Sequence, residues 1–178
     1  MHITIRRLEN TAADMDCLLA WLTDERVLAH VYAVDAPWYA EKIRTCFAEN
    51  AAPDAEVAGW IILADGQPVG YMQHYPITPE SYRFTAEVSY ALLEGAYGTD
   101  MFIGVPEYWR MGIGRAAVDL LAEHLRAQGV TRLCADPCTE NDHGMAFWSR
   151  VGFVPLGCVP EYDDPQKRSM LMVRDLSA

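Results

Sequence analysis

The chain has 178 residues, 51% of them hydrophobic, and its 25 acidic residues outnumber its 14 Lys and Arg residues, giving a net charge of −11. This length suits one well-buried core and is too short for two comfortable domains, so we predict a single domain over residues 1–178. The negative charge excludes nucleic acid as an expected partner and favours a cationic small molecule, although surface acid that only confers solubility is the alternative.

The five cysteines and the apolar segments predict the compartment. Cys17, Cys46, Cys134, Cys138 and Cys158 are odd in number and form no Cys-x-x-Cys pair, so we expect buried thiols in a reducing compartment. No apolar stretch is long enough to span a membrane or to act as a secretion signal. We therefore expect a cytoplasmic protein with no membrane partner.

Hydrophobic periodicity predicts the N-terminal elements. A strand over residues 2–8 precedes a helix over 12–22. A second helix follows Pro37, which suits an early helical position, and Tyr39, Ile43 and Phe47 recur at intervals of four. Strands over 57–64 and 68–77 meet at Asp65-Gly66, a pair that favours tight hairpin turns.

The C-terminal elements predict a mixed α/β fold with a helical crossover between central strands. Residues 78–98 are harder to assign, with a strand expected at 86–93. The remaining expected elements are a strand over 99–105, a helix over 114–128 ending at Gly129, a strand over 132–135, a helix over 141–151, and strands over 153–159 and 169–174.

A glycine loop lies between the strand and the helix of this crossover. The run is Phe102-Ile-Gly-Val-Pro-Glu-Tyr-Trp-Arg-Met-Gly-Ile-Gly-Arg115. Gly112 and Gly114 remove side chains that would keep a pyrophosphate from the backbone, and the helix N-terminus presents unpaired N–H groups. The loop therefore predicts a phosphate-bearing ligand.

The run Trp109-Arg-Met-Gly112-Ile-Gly114 resembles the acyl-CoA loop of the GCN5-related N-acetyltransferases (GNAT), a Gln/Arg-x-x-Gly-x-Gly/Ala pattern. Trp109 departs from its first position, while Arg110 and Arg115 keep positive charge at the loop. The resemblance implies a mixed, strongly twisted central sheet with helices on both faces, acetyl-CoA as cosubstrate, and no metal. The implied acetyl-CoA contacts are Phe102, Ile103, Gly104, Arg110, Met111, Gly112, Ile113, Gly114, Arg115, Asn141 and Trp148.

Shorter fragments narrow the resemblance to the aminoglycoside 6′-N-acetyltransferases. They are Trp21-Leu-Thr-Asp-Glu-Arg-Val-Leu28, Gly70-Tyr-Met-Gln73, Tyr97-Gly-Thr-Asp-Met-Phe-Ile-Gly104, and Asp136-Pro-Cys-Thr-Glu-Asn141 with Arg150-Val-Gly-Phe153, and they occur in that group's order. The resemblance implies direct acetyl transfer to the 6′-amine of an aminoglycoside, without an acyl-enzyme.

Carboxylates are the groups that such a transfer requires. An amine arrives protonated, so the enzyme must hold the ammonium and remove one proton before attack on the thioester. Asp100 is the first candidate, and the resemblance assigns its counterpart to amine binding and general base catalysis; the alternative is a loop or cap residue after Gly98. Asp136, at a strand end, either binds a second ammonium or caps the next turn. Glu94 corresponds to a further acidic position, and weaker candidates are Glu87, Asp163 and Asp164.

Other candidates contact the sugar or the cofactor. Gln73 is placed to hydrogen-bond a sugar hydroxyl, and Trp38, Tyr39 and Tyr90 either stack on the sugar or belong to the core. Trp148 stands where many acetyltransferases have a Tyr that protonates the CoA thiolate, and an indole is too weak an acid to replace it. It either hydrogen-bonds near the thiolate or only packs, and Asn141 either contacts CoA or caps a helix.

Two rival functions remain open. No histidines share metal-ligand spacing, and no Ser or Cys lies in a nucleophile motif. An enzyme of the same fold acting on a polyamine, a siderophore hydroxylamine or a protein amine is one rival. The other is a non-catalytic module that binds acetyl-CoA or a cation. Monomer and homodimer are both compatible with the sequence.

Overall fold

The computed structural model describes residues 1–31, 37–161, 164 and 166–177. The strands are β1 (Ile3–Arg7), β2 (Ala58–Ala64), β3 (Gln67–Pro76), β4 (Tyr97–Ile103), β5 (Arg132–Ala135), β6 (Val154–Pro160) and β7 (Arg168–Asp175). The helices are α1 (Ala12–Thr23), α2 (Glu25–Leu28), α3 (Ala40–Phe47), α4 (Ile113–Ala127) and α5 (Asp142–Arg150). The strands form a seven-stranded mixed sheet in the order β1-β2-β3-β4-β5-β7-β6, which confirms the predicted mixed α/β class.

The chain divides into two compact units. Unit 1 comprises Met1–Tyr75 and Asp100–Leu121, and unit 2 comprises Pro76–Thr99 and Ala122–Ala178. The prediction of one domain over the whole chain stays a prediction. Within the described residues, no helix is long and apolar enough to cross a membrane.

Unit 1 is organised around a hairpin and two helices. Strands β2 and β3 pair in antiparallel fashion and turn at Asp65 and Gly66, whose φ angles of 48° and 81° are both positive, as the tightest hairpin turns require. Helices α1 and α3 bury one face each against this sheet. The core cluster is Leu8, Met15, Leu18, Trp21, Leu22, Ile43, Ile61 and Tyr71. The predicted strand 2–8, helix 12–22 and hairpin are thus confirmed.

Unit 2 contains the end of the helical crossover and the outer strands. The first residues of β4 pair in parallel with β5, with Tyr97 opposite Leu133 and Gly98 opposite Cys134, and β5 and β6 each pair with β7 in antiparallel fashion. Strand β6 is an edge strand of the sheet, with Pro155 and Pro160 inside it. Helix α4 ends before Gly129, whose φ of 86° suits glycine. All five cysteines are free thiols, but only Cys134 and Cys138 are buried as predicted; Cys17 and Cys158 are half-buried and Cys46 is exposed.

Two sequence predictions about elements are wrong. Residues 86–93, all of which the structure describes, form turns and a short 3₁₀ helix (Tyr90–Leu92) in place of a strand. Their backbone groups pair locally, as in the hydrogen bond from the Leu93 N–H to the Tyr90 carbonyl, 2.7 Å long, so no partner strand is needed. Pro37 is not an early helical residue, because the backbone at Tyr39 is still extended and α3 begins only at Ala40.

Candidate active site

A carboxylate and an amide from neighbouring stretches of unit 1 face each other. Asp100 lies inside β4, and the Gln73 side chain on β3 donates a hydrogen bond of 2.9 Å from Nε2 to Asp100 Oδ2. Because Asp100 is within the strand, the alternative that it is a loop or cap residue is wrong. The structure thus brings together the predicted base and the predicted sugar-binding amide.

Asp100 is exposed to solvent on β4. Desolvation by the protein atoms packed around its carboxyl raises the pKa of Asp100 above its usual range, while hydrogen bonds from Gln73 and Tyr75 act in the opposite direction. A carboxylate with a raised pKa is a better proton acceptor near neutral pH. This environment suits a group that binds an ammonium and then removes its proton.

Three residues of this cluster, Tyr71, Tyr75 and Asn50, were missed by the sequence analysis. Tyr71, Gln73 and Tyr75 occupy alternate positions of β3 and therefore share one face of the sheet. That alternation was the signal that could have identified the two tyrosines. Asn50, which donates hydrogen bonds to the Tyr71 hydroxyl (3.0 Å) and to Gln73 Oε1 (3.3 Å), is too distant in sequence for a local pattern to find.

The glycine loop has the backbone conformation of an anion site. Arg110 and Gly112 have positive φ angles of 62° and 84°, which turn successive N–H groups toward one side. A side chain at Gly112 would meet no atom within 4 Å, so the space beside it is open. Helix α4 begins at Ile113, one residue before its predicted start, and its first turn leaves N–H groups for a ligand.

Trp109 explains the departure from the acyl-CoA loop pattern. Its indole N–H donates a hydrogen bond of 2.8 Å to the carbonyl of Ile103, the last residue of β4, and its ring meets the edge of His30 with centroids 5.3 Å apart. Trp109 therefore ties the loop to the strand that precedes it.

The other predicted acetyl-CoA contacts in unit 1 differ in exposure. Arg110, Met111 and Arg115 are exposed along the loop, whereas Ile113 is buried and Gly104 lies against Trp21. The Phe102 ring packs on Tyr71 at 5.9 Å and on Trp21 at 6.2 Å, while Ile103 and Gly114 are half-buried.

The candidates of unit 2 lie on and around β5 and α5. Asp136 is half-buried directly after β5, and Glu94 is exposed. Asn141 caps α5, since its Oδ1 accepts a hydrogen bond of 2.8 Å from the Gly144 N–H. Trp148 is buried and packs edge-to-face on Phe153 at 4.9 Å. The structure therefore shows Asn141 as a helix cap and Trp148 as a packing residue. These are the structural roles that the sequence analysis gave as alternatives to cofactor contacts.

Most of the aromatic residues predicted to stack on a sugar pack against other side chains of the protein. The half-buried Trp38 ring packs against Phe47 at 5.9 Å, with the Lys42 ammonium 4.5 Å from its centroid. Tyr90 contacts Phe84 at 5.9 Å in unit 2. Tyr39 is 55% exposed and presents an open ring. Of the weaker acidic candidates, Asp163 lies outside the described residues.

Comparison with known protein families shows which family the chain belongs to. A family model described as an acetyltransferase (GNAT) domain matches residues 10–160, most of the chain. The chain belongs to the GNAT acetyltransferase family. It is therefore an acetyl-CoA-dependent acetyltransferase.

Relatives of this GNAT chain differ in substrate. It is 23% identical to aminoglycoside N(6′)-acetyltransferase type 1 of Klebsiella pneumoniae over 164 residues, 92% of this chain and 79% of the relative. The solved structure of AAC(6′)-Ib in complex with ribostamycin and coenzyme A has a TM-score of 0.79 at 21% identity, covering 98% of this chain and 94% of that one. The Escherichia coli ribosomal-protein-S18-alanine N-acetyltransferase has a TM-score of 0.63 at 18% identity, covering 99% and 96%. At these identities the structural likeness shows the GNAT fold.

Replacing Trp109 by Phe should weaken acetyl-CoA binding by this GNAT enzyme. Loss of the hydrogen bond to the Ile103 carbonyl removes about 1 kcal/mol of the interaction that holds the loop against β4. We therefore expect KM for acetyl-CoA to rise about fivefold, with kcat little changed. CoA thiol release at saturating amine measures both constants. Tyr108→Phe, in the same turn, is the matched control, and an unchanged KM in Trp109→Phe would contradict a bracing role.

Proposed function

We propose that the protein transfers the acetyl group of acetyl-CoA to the 6′-amine of aminoglycosides, with Asp100 as amine-binding group and general base. The observation that supports this best is the Gln73 and Asp100 pair on β3 and β4, where an amide donor and a carboxylate of raised pKa lie side by side. The similarity to aminoglycoside N(6′)-acetyltransferases agrees with it. The net charge of −11 favours a multiply cationic substrate.

Asp100 would act first on the substrate ammonium. The carboxylate attracts the ammonium, accepts one proton from it, and so leaves a neutral amine. The amine nitrogen then forms a bond to the thioester carbonyl carbon and releases its second proton to solvent, the carbon–sulfur bond breaks, and the thiolate takes a proton from solvent. Acetyl-CoA supplies the activated acyl group, and a CoA thiolate is a tolerable leaving group without a protein acid.

Further residues would hold the two substrates. Gln73 would orient the carboxylate and a sugar hydroxyl. Tyr39 would offer an aromatic face to the sugar. The backbone N–H groups around Gly112 and Gly114, with Arg110 and Arg115, would hold the pyrophosphate.

A panel of amines tests the proposal. Release of CoA thiol from acetyl-CoA is measured for the purified protein with kanamycin, tobramycin, spermidine, a hydroxylamine siderophore precursor and a peptide with N-terminal alanine. We expect saturable release with the aminoglycosides alone, with mass spectrometry placing the acetyl group on the 6′-nitrogen. Release only with another amine would overturn the substrate assignment, and tight binding of acetyl-CoA without any release would indicate a non-catalytic module.

A further inference from the structure

We infer that Asn50 and Tyr71 are positioning residues that hold the Gln73 amide with its oxygen toward them and its nitrogen toward Asp100. The role in catalysis rests on the proposed function, since Asp100 is there the general base. The orientation itself rests on the hydrogen bonds of unit 1.

The Gln73 amide accepts hydrogen bonds through its oxygen and donates one through its nitrogen. Gln73 Oε1 accepts from the Tyr71 hydroxyl at 2.9 Å and from Asn50 Nδ2 at 3.3 Å. Gln73 Nε2 in turn donates to Asp100 Oδ2 at 2.9 Å. A rotated amide would place its NH₂ group against two donors and its oxygen against the carboxylate, so the observed orientation satisfies every partner.

The surroundings keep the Tyr71 hydroxyl in place as a donor. Its ring is buried and meets Phe47 edge-to-face at 5.1 Å. Burial is the main cause that raises the pKa of Tyr71 well above its ordinary value, so the hydroxyl keeps its proton at any working pH. A Cβ atom at Gly59, which pairs with Gln73 across β2 and β3, would lie 3.1 Å from this hydroxyl. The glycine therefore leaves room for it.

Asn50 is held through its backbone. It lies in a 3₁₀ turn (Glu49–Ala51), and Arg7 Nη2 donates to the carbonyls of Asn50 (3.3 Å) and Ala52 (2.8 Å). The Arg7 guanidinium also lies over the Trp60 ring, 5.3 Å from its centroid. The turn that presents the Asn50 amide is thus fixed to β1.

The inferred orientation has a consequence for protonation. With its nitrogen toward Asp100, Gln73 favours the ionised carboxylate; with its oxygen there, Gln73 would accept a hydrogen bond from the protonated acid. Among the ionisable groups around this carboxyl, the Tyr75 hydroxyl donates a hydrogen bond to it, while Tyr71, with Arg7 beyond it, stays protonated and brings no charge. Removing the donors of Asn50 and Tyr71 should therefore raise the pKa of Asp100 further and extend its protonated form to higher pH.

The double variant Asn50→Ala/Tyr71→Phe tests this inference with two readouts. The first is the titration of the Asp100 carboxyl carbon by NMR in the whole protein, which requires no activity. The second is the pH profile of kcat/KM with kanamycin. We expect both midpoints to move up by about one pH unit, so that kcat/KM falls about tenfold on the acid side and little on the alkaline side. Circular dichroism establishes that the variant is folded.

The decisive control is to make the same double substitution in a Gln73→Leu variant. Since the two residues act through the Gln73 amide, adding Asn50→Ala/Tyr71→Phe to Gln73→Leu should move neither midpoint further. The inference is overturned if the double variant titrates like the wild type, or if the same shift persists in the Gln73→Leu background. A wild type that acetylates no amine would refute the proposed function, while the NMR titration would still decide the role of Asn50 and Tyr71.

Discussion

Replacing Asp100 by Asn is expected to lower kcat/KM for aminoglycoside acetylation by about 10²- to 10³-fold. The substitution keeps the size of the side chain but removes both the charge that attracts the ammonium and the group that accepts its proton. CoA thiol release measures the rate, and calorimetry measures the affinity for acetyl-CoA. We expect that affinity to stay the same, because the proposed pyrophosphate site is the loop around Gly112 and does not include Asp100.

The exposed Asp54 provides a matched control for this experiment. Asp54→Asn changes the net charge equally and leaves the carboxylate on β4 in place, so its rate should equal that of the wild type. Equal turnover in Asp100→Asn would remove Asp100 from the mechanism. A comparable loss in both variants would point to net charge, and not position, as the cause.

Gly104→Ala is expected to lower the free energy of unfolding by about 3 kcal/mol. A Cβ atom at this position would overlap the base of the Trp21 indole, which is buried in the core cluster of unit 1. The rigid ring cannot yield without disturbing α1, and the Gly104 N–H is committed to the Val69 carbonyl at 2.9 Å. Denaturant unfolding of both proteins measures the difference.

Gly66→Ala separates the clash from the general cost of replacing glycine. A Cβ atom there meets nothing within 4 Å, so only the cost of a positive φ, about 1 kcal/mol, is expected. If both variants lose the same stability, overlap with Trp21 is not the cause. Combining Trp21→Leu with Gly104→Ala makes room for the new Cβ atom and should restore part of the lost stability. The loss in free energy of unfolding should then be smaller than the sum of the losses in the two single variants.

The sequence was sufficient to predict those elements whose signals are local. The hairpin at Asp65-Gly66 and the strand over 132–135 agree with the structure because turn residues and hydrophobic runs determine them over a few positions. The predicted strand over 86–93 is wrong, and the reason is also local. Val88 and Leu93 are buried, but they are five positions apart and would point to opposite faces of a strand. Local turns satisfy the backbone instead, which strand propensity alone does not indicate.

The site was predictable only in part. The resemblance led to Asp100, Gln73 and the glycine loop, and the structure places the first two in direct contact. Asn50 could not be found, because it approaches Tyr71 across 21 positions of the chain and no short-range pattern marks such a contact. The role of Trp109 also required coordinates, since its hydrogen bond goes back to Ile103 and not to a ligand.

The edge strand β6 has a consequence for behaviour in concentrated solution. It exposes Val154 (64%) and Leu156 (36%), and an apolar sheet edge of this kind is a template on which another chain could add a strand. Pro155 and Pro160 offer no N–H to such a chain, and the register with β7 shifts between Pro155 and Gly157. The edge is thereby protected from continuous pairing, so fibril-like stacking of copies through β6 is disfavoured despite its apolar surface.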